Sequence, residues 1–364
     1  MKKVVIIFFI FLGGMTFAQE GFMSYKVERA INAMKGKDKK SPETIADYIR
    51  KEVNSDDISM AYAAYYFVAH HLEYNFAKTR RITLNASRDE IIEDALRDGV
   101  GVCQHYAELF NAIARNLDMA SVVIPGYTKQ DGKVVDVPHS WNGLRLNDEW
   151  YLFDPTWGAG YLRGDEYQSR FSVEYFMVTP EKMIISHMPF DPLLQFLKNP
   201  VSHYTFSYDM KRNQQIEPIN YKQKMANYFS QPEAERIESA MKRIRQHGII
   251  NEMTEKYYNF LDQNFKVHYA NKQVDLHNEA VQILNNVVAD YNAYADKKNK
   301  NRGKYPASKR ETRALLSDLE FRVGEAGKMF SKVQPTMKMR QSYSKNLRII
   351  EDLKQVIEKE KRRL

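Results

Sequence analysis

The stretch Asp98-Gly-Val-Gly-Val-Cys-Gln-His-Tyr-Ala-Glu-Leu-Phe110 constrains this chain more than any other. It holds Cys103, the only cysteine, with Gly99 and Gly101 just upstream. Cys103, Tyr106, Ala107, Phe110, Ala114 and Leu117 then recur at three- and four-residue steps, the period of a helix with one buried face. The spacing predicts a loop that turns into a helix at the cysteine. Free amides and the positive end of the helix dipole would meet the sulfur there, and both favour thiolate over thiol. A lone cysteine is more often a small buried hydrophobe than a nucleophile, so the rest of the chain has to decide between the two.

The N-terminus has the form of an export signal. Lys2 and Lys3 precede an apolar run, Val4 to Leu12, that is too short to span a bilayer, and Thr16-Phe-Ala18 offers small residues for cleavage. Residues 1–18 are therefore expected to be removed, leaving a periplasmic or secreted protein. No later stretch is long and apolar enough for a membrane helix. Exported proteins use cysteines in pairs, as disulfides. A single cysteine cannot do so, which shifts weight toward a reactive thiol. The net charge is +8, but basic residues are interspersed with acidic ones, unlike the one-sided footprint of a nucleic-acid binder.

At 364 residues the chain suits two domains. Ile58 to Tyr74 and Ser87 to Arg97 read as helices ahead of the cysteine helix. The period then changes. Ala120 to Tyr127, Lys133 to Val137, Ser140 to Leu146 and Glu149 to Phe153 are β-like, and an aromatic- and proline-rich segment over 155–205 follows. Helices first and strands after them predict an α+β domain, helices packed on an antiparallel sheet, over residues 19–210. A linker is expected at 211–231. A helical domain is expected over 232–364, with helices at 233–263, 274–298, 308–333 and 338–363 in an antiparallel bundle.

A thiolate nucleophile needs a base, and the base needs a group to orient it. His139 opens the run His139-Ser-Trp-Asn-Gly-Leu-Arg-Leu, and Asn147-Asp148 reads as a hairpin turn into Glu149-Trp-Tyr-Leu-Phe-Asp154. With those two residues as the turn, Asp154 falls opposite Trp141 and on the same face as His139, about 7–8 Å away diagonally. A slip of one residue would put them on opposite faces. The spacing thus nominates Cys103 as nucleophile, His139 as base and acid, and Asp154 as the group that fixes the imidazole. Rival chemistries lack their motifs: there is no Gly-x-Ser-x-Gly, no His-Glu-x-x-His and no complete dinucleotide loop. No cofactor and no metal site are expected. His105 reads as structural, and His187 and His203 as isolated.

Three blocks carry a family resemblance: Gly101-Val-Cys-Gln-His-Tyr-Ala-Glu-Leu-Phe110, His139-Ser-Trp-Asn142 and Trp150-Tyr-Leu-Phe-Asp-Pro-Thr-Trp-Gly158. In this order they resemble the transglutaminase-like superfamily, and most nearly the branch with the kyphoscoliosis peptidase and a group of cytokinesis proteins. Tyr175-Phe-Met-Val-Thr-Pro-Glu181 and His187-Met-Pro-Phe-Asp-Pro192 are similar to the continuation of that branch, so the resemblance covers roughly residues 45–205. Ser140 stands where this branch usually has alanine, a small-for-small change. The resemblance implies a papain-like fold and acyl transfer through a thioester, with Cys103, His139 and Asp154 in the roles above. It implies a protein or peptide substrate, with hydrolysis favoured over crosslinking. The alternative is a catalytically silent scaffold of the cell envelope, whose C-terminal helices would serve an envelope protein partner.

Overall fold

Two tight turns set the central sheet. Asn147 and Asp148 both adopt positive φ (49° and 64°), as do Asp131 and Gly132 (48° and 74°). Two central residues with φ > 0 match the right-handed twist of flanking strands, which is why Asn, Asp and Gly occupy such positions. The computed structural model describes residues 24–54, 56–75, 87–163, 166–209, 217–305 and 307–364. The expected export segment, residues 1–18, and residues 211–216 of the expected linker lie outside them. Among the described residues no helix is long and apolar enough to cross a membrane.

Helices α1 (24–32), α2 (Pro42–Glu52) and α3 (Asp57–His71) lead to a short strand, β1 (Glu73–Tyr74). Next come α4 (Arg88–Asp98), β2 (Val100–Gly101), which pairs in parallel with β1, and α5 (Cys103–Asn116). Strands β3 (Ser121–Gln130), β4 (Lys133–Leu146) and β5 (Glu149–Phe153) follow. Then come α6 (Pro155–Ala159), the small hairpin β6 (Gly160–Arg163) and β7 (Glu166–Ser169), α7 (Pro180–Met183), β8 (His187–Pro189) and α8 (His203–Tyr208). The main sheet is antiparallel in the order β5-β4-β3-β8. The fold is thus α+β. Strand β4 runs unbroken through His139, whereas the sequence suggested two shorter strands; Pro138 is tolerated within it.

The helices of this unit bury Ile45, Tyr65, Phe67, Leu109, Phe110 and Ile113 in one cluster, with Leu144, Leu146 and Phe153 of the sheet. Each such side chain, fully buried, contributes about 1.5–3 kcal/mol relative to exposure. Helix α5 is central, packing against α2, α3, α4, β3 and β4. A second cluster joins Ile124, Trp141, Trp150 and Leu152 to Leu193, Phe196 and Met225. Met225 belongs to α9 (Tyr221–Tyr228), so the segment expected as a linker carries a helix anchored in this core.

The chain divides into two units. One comprises the described residues through Gln231 together with Ser239–Asn259, and the other Pro232–Glu238 and Phe260–Leu364. The first long C-terminal helix expected from sequence is interrupted: α10 (Glu233–His247) stops before Gly248, at φ 93°, and Asn251 caps a new helix by accepting from the Thr254 amide at 2.8 Å. That helix, α11 (Glu252–Lys300), then runs 49 residues without the break expected near 264–273, a stretch that holds no proline or glycine. Residues 239–259 belong to the first unit because Arg243 grips buried Asp191 with two hydrogen bonds (2.7 and 2.6 Å) and Tyr257 stacks on Phe190. In the second unit α11, α12 (Lys309–Lys332) and α13 (Arg340–Arg362) share a core of Leu284, Val287, Leu319, Val323, Ile350 and Ile357.

Tyr65 of α3 reaches the end of β5, its hydroxyl lying 3.1 Å from the Ser172 carbonyl and 3.3 Å from that of Asp154. Gly158 makes room for it, since a Cβ there would come within 2.5 Å of the Tyr65 Cζ. Tyr65 is fully buried and cannot swing aside. Gly158→Ala should therefore destabilise this unit by about 1–3 kcal/mol, the usual cost of overpacking. Urea unfolding followed by tryptophan fluorescence reads it directly, because Trp141, Trp150 and Trp157 all lie in this unit. An unchanged midpoint would show that the close approach is not a constraint.

Candidate active site

The loop before α5 is built to bring a helix start close to strand β2. A Cβ on Gly101 would come within 2.6 Å of the His105 Cβ, so only glycine fits beneath that side chain. His105 in turn caps the helix, with its Nδ1 accepting from the Val102 amide at 3.3 Å. It closes the first turn in the manner of a capping-box residue and points back along the chain. Cys103 is thereby left as the first helical residue, and it is partly exposed. Tyr74 of β1 is close by: burial first, and then the Cys103 charge, push its hydroxyl pKa up.

His139 arrives on β4 by register. Asn142 pairs with Phe153 and Leu146 with Glu149, which places Asp154 just beyond the last pair and opposite Trp141. The diagonal contact is made: His139 Nε2 donates to Asp154 Oδ2 at 2.7 Å. The Cys103 side chain lies near the imidazole and favours its protonated form. Asn142 projects to the opposite face of β4 and donates to the Ala107 carbonyl of α5 at 2.9 Å, tying the strand to the helix one turn beyond the thiol. The structure therefore brings Cys103, His139 and Asp154 together from three separate elements.

Asp154 is completely buried and every side of its carboxylate is used. Oδ1 accepts from the amides of Thr156 (2.9 Å) and Trp157 (3.1 Å), which makes Asp154 the N-cap of α6, with Pro155 as first helical residue. Oδ2 accepts from His139 and also from a second histidine, His187 Nε2, at 3.1 Å. Burial alone would raise the carboxyl pKa, but the His139 charge, its hydrogen bond and that of His187 outweigh it and hold the carboxyl well below the usual range. Burial alone would likewise lower His139. The Asp154 charge and hydrogen bond, with the nearby Cys103, instead lift it to about 10. For His187 burial prevails and the pKa falls.

His187 is the residue that the sequence did not single out. It lies 33 positions beyond Asp154, on β8, which pairs with the far side of β3. His139 faces Gly126 and His187 faces Thr128, so alternation puts both on one face of the sheet with Gly126 between them. Trp157 and Trp141 wall the pair, with ring centroids 4.5 and 5.0 Å from His187. The ligand atoms of His139, Asp154 and His187 lie within 4.8 Å of one another, close enough to hold a cation. Both Nε2 atoms already donate to the same oxygen, so the cluster reads as a hydrogen-bonded array rather than a ligand set. His203 is elsewhere, satisfied by the Tyr127 hydroxyl (3.0 Å) and the Phe190 carbonyl (3.2 Å).

Residues 29–155 match the family model of the transglutaminase-like superfamily, a span that includes Cys103, His139 and Asp154 and stops short of His187. The kyphoscoliosis peptidase of Homo sapiens is 30% identical over 164 residues, 42% of this chain and 24% of the human protein. That of Mus musculus is 30% identical over 178 residues, 46% of this chain and 26% of the mouse protein. The matches span about a quarter of the length of these relatives. A solved structure described as a crystal structure of a TGase shares 16% identity over 46% of this chain and 39% of its own, but its TM-score of 0.24 is too low to carry an argument. Residues 29–155 thus match a domain of the transglutaminase-like superfamily, and over 164 to 178 residues the chain is similar to the kyphoscoliosis peptidases.

Proposed function

We propose that this protein is an exported cysteine-dependent enzyme that cleaves protein or peptide amides through a Cys103–His139–Asp154 triad. The observation that carries the reading is the His139 Nε2–Asp154 Oδ2 hydrogen bond, with Cys103 near the same imidazole. The Cys103 thiolate attacks the substrate carbonyl carbon, and a C–S bond forms as the carbonyl electrons move to oxygen. The oxyanion develops beside the start of α5, where helix amides lack intrahelical partners. His139 then delivers its proton to the leaving nitrogen as the C–N bond breaks, giving a thioester and a free amine. Water attacks the thioester with its proton passing to His139, and the thiolate departs. Asp154 remains ionised throughout, orienting the ring and stabilising the imidazolium whenever it forms.

Two observations favour water over an amine as the acyl acceptor. Cys103 is partly exposed rather than buried, which favours access by solvent. The similar proteins are also described as peptidases. Export rests on the N-terminal sequence alone, and an envelope partner for the C-terminal helices follows from it as part of the same proposal.

Since the chain has one cysteine, alkylation by iodoacetamide reads this site without interference. At pH 6 the wild type should react at least about tenfold faster than His139→Ala, because the imidazolium holds the sulfur as thiolate. Equal rates would remove the basis for a triad. Cys103→Ala should lower hydrolysis of a fluorescent casein by about 10⁴-fold, the scale of losing a triad member. Incorporation of dansylcadaverine in place of hydrolysis would instead show an amine acceptor.

The pH dependence follows from His139. The proton it gives to the leaving nitrogen stays on the ring until the pH approaches about 10 and is lost above it. Hydrolysis should accordingly persist through pH 8–9 and fall along a limb centred near about 10. A limb near 6.5, the unperturbed histidine value, would mean that Asp154 does not hold the charge.

A further inference from the structure

The buried carboxylate of Asp154 serves two histidines, and the triad accounts for only one of them. His187 is 1% exposed. Its Nε2 lies 3.1 Å from Asp154 Oδ2 and its Nδ1 lies 2.8 Å from the Ser186 hydroxyl oxygen. The ionised carboxylate can only accept, so Nε2 must carry the hydrogen. Nδ1 of a neutral ring then accepts from the Ser186 hydroxyl, and both nitrogens are satisfied. A charged His187 would place a second cation beside His139, with ring centroids 5.8 Å apart and the same Asp154 oxygen serving both.

We propose that His187 is a positioning residue for the Cys103–His139 pair, donating from a neutral ring to Asp154 Oδ2 and fixing that oxygen between β4 and β8. This rests on the cysteine chemistry proposed above. The two amides from α6 hold Oδ1 only. Without His187, Oδ2 keeps a buried lone pair with no donor, which leaves the carboxylate free to rock and His139 to follow it away from the sulfur. A second donor also weakens the pull of Oδ2 on the His139 proton, so that the proton stays on the imidazole where the leaving group needs it. The contrast with His203 is instructive. That histidine is equally buried, yet its partners are a tyrosine hydroxyl and a backbone carbonyl. The partner of His187 is the carboxylate that also holds His139.

The test uses the full chain and the rate of Cys103 alkylation by iodoacetamide at pH 7. His187→Leu, which removes the donor, should react about 10- to 100-fold more slowly than wild type, the range expected from losing one hydrogen bond to a charged group. His187→Gln keeps an N–H that reaches the carboxylate and should recover most of the rate. Nitrogen-15 spectra of the wild-type histidine rings, assigned with His187→Gln, should show His187 neutral with hydrogen on Nε2 and His139 doubly protonated. A His187→Leu rate equal to wild type overturns the proposal, as does a His187→Gln protein that folds but is as slow as His187→Leu, or a wild-type His187 that is charged. If His187→Leu does not fold, the glutamine variant and the wild-type spectra decide. A wild-type rate that does not depend on His139 is a different result, since it removes the underlying cysteine chemistry.

Discussion

The fully buried carboxylate of Asp154 organises the site, and burying a charge is tolerable only where it is paired and hydrogen-bonded. Four donors meet it: two backbone amides on Oδ1 and two imidazoles on Oδ2. Each donor comes from a different reason in the chain. The amides are there because Asp154-Pro155 starts a helix. His139 is there because a two-residue turn sets the register of β4 on β5. His187 is there because β8 closes the sheet on its other edge. Removing any one of these leaves a charge under-solvated in the protein interior, which ties the stability of the fold to the integrity of the site.

The cysteine end is simpler. A loop, a short parallel bridge and a capped helix place one thiol at the first turn of α5. Its helix is also the centre of the domain core, through Tyr106, Leu109, Phe110 and Ile113. Cys103 is thus carried by a helix buried in the domain core, while His139 is carried by the sheet packed against it. Asn142 links the two directly, through its bond to the Ala107 carbonyl. A site assembled from rigid elements holds its geometry better than one assembled from loops.

The helical unit has its own core and its own buried polar network, with Tyr294 and Lys298 of α11 both bonded to Glu360 of α13. Its helices were visible in the sequence, but their ends were not. Gly248 and Asn251 end one helix and start another within a stretch that reads as continuous. The polar residues over 264–273 read as a break yet stay helical, because nothing there prevents it. Local polarity is a weaker signal than a cap or a positive φ.

Local rules made much of the site legible. The period of α5 placed Cys103 at a helix start, and the Asn147-Asp148 turn was enough to predict that His139 and Asp154 share a face. Both follow from the geometry of one helix and one hairpin, which neighbouring residues dictate. The family blocks pointed to the same three residues. His187 was out of reach because its place depends on β8 crossing to the far edge of β3, a pairing between distant segments that no adjacent residue encodes. The same holds for the Asp191–Arg243 bond within the first unit. The sequence by itself determined the period, the turns and the helix start; the tertiary structure alone decided which distant donors meet around Asp154, because burial and long-range pairing belong to the whole chain.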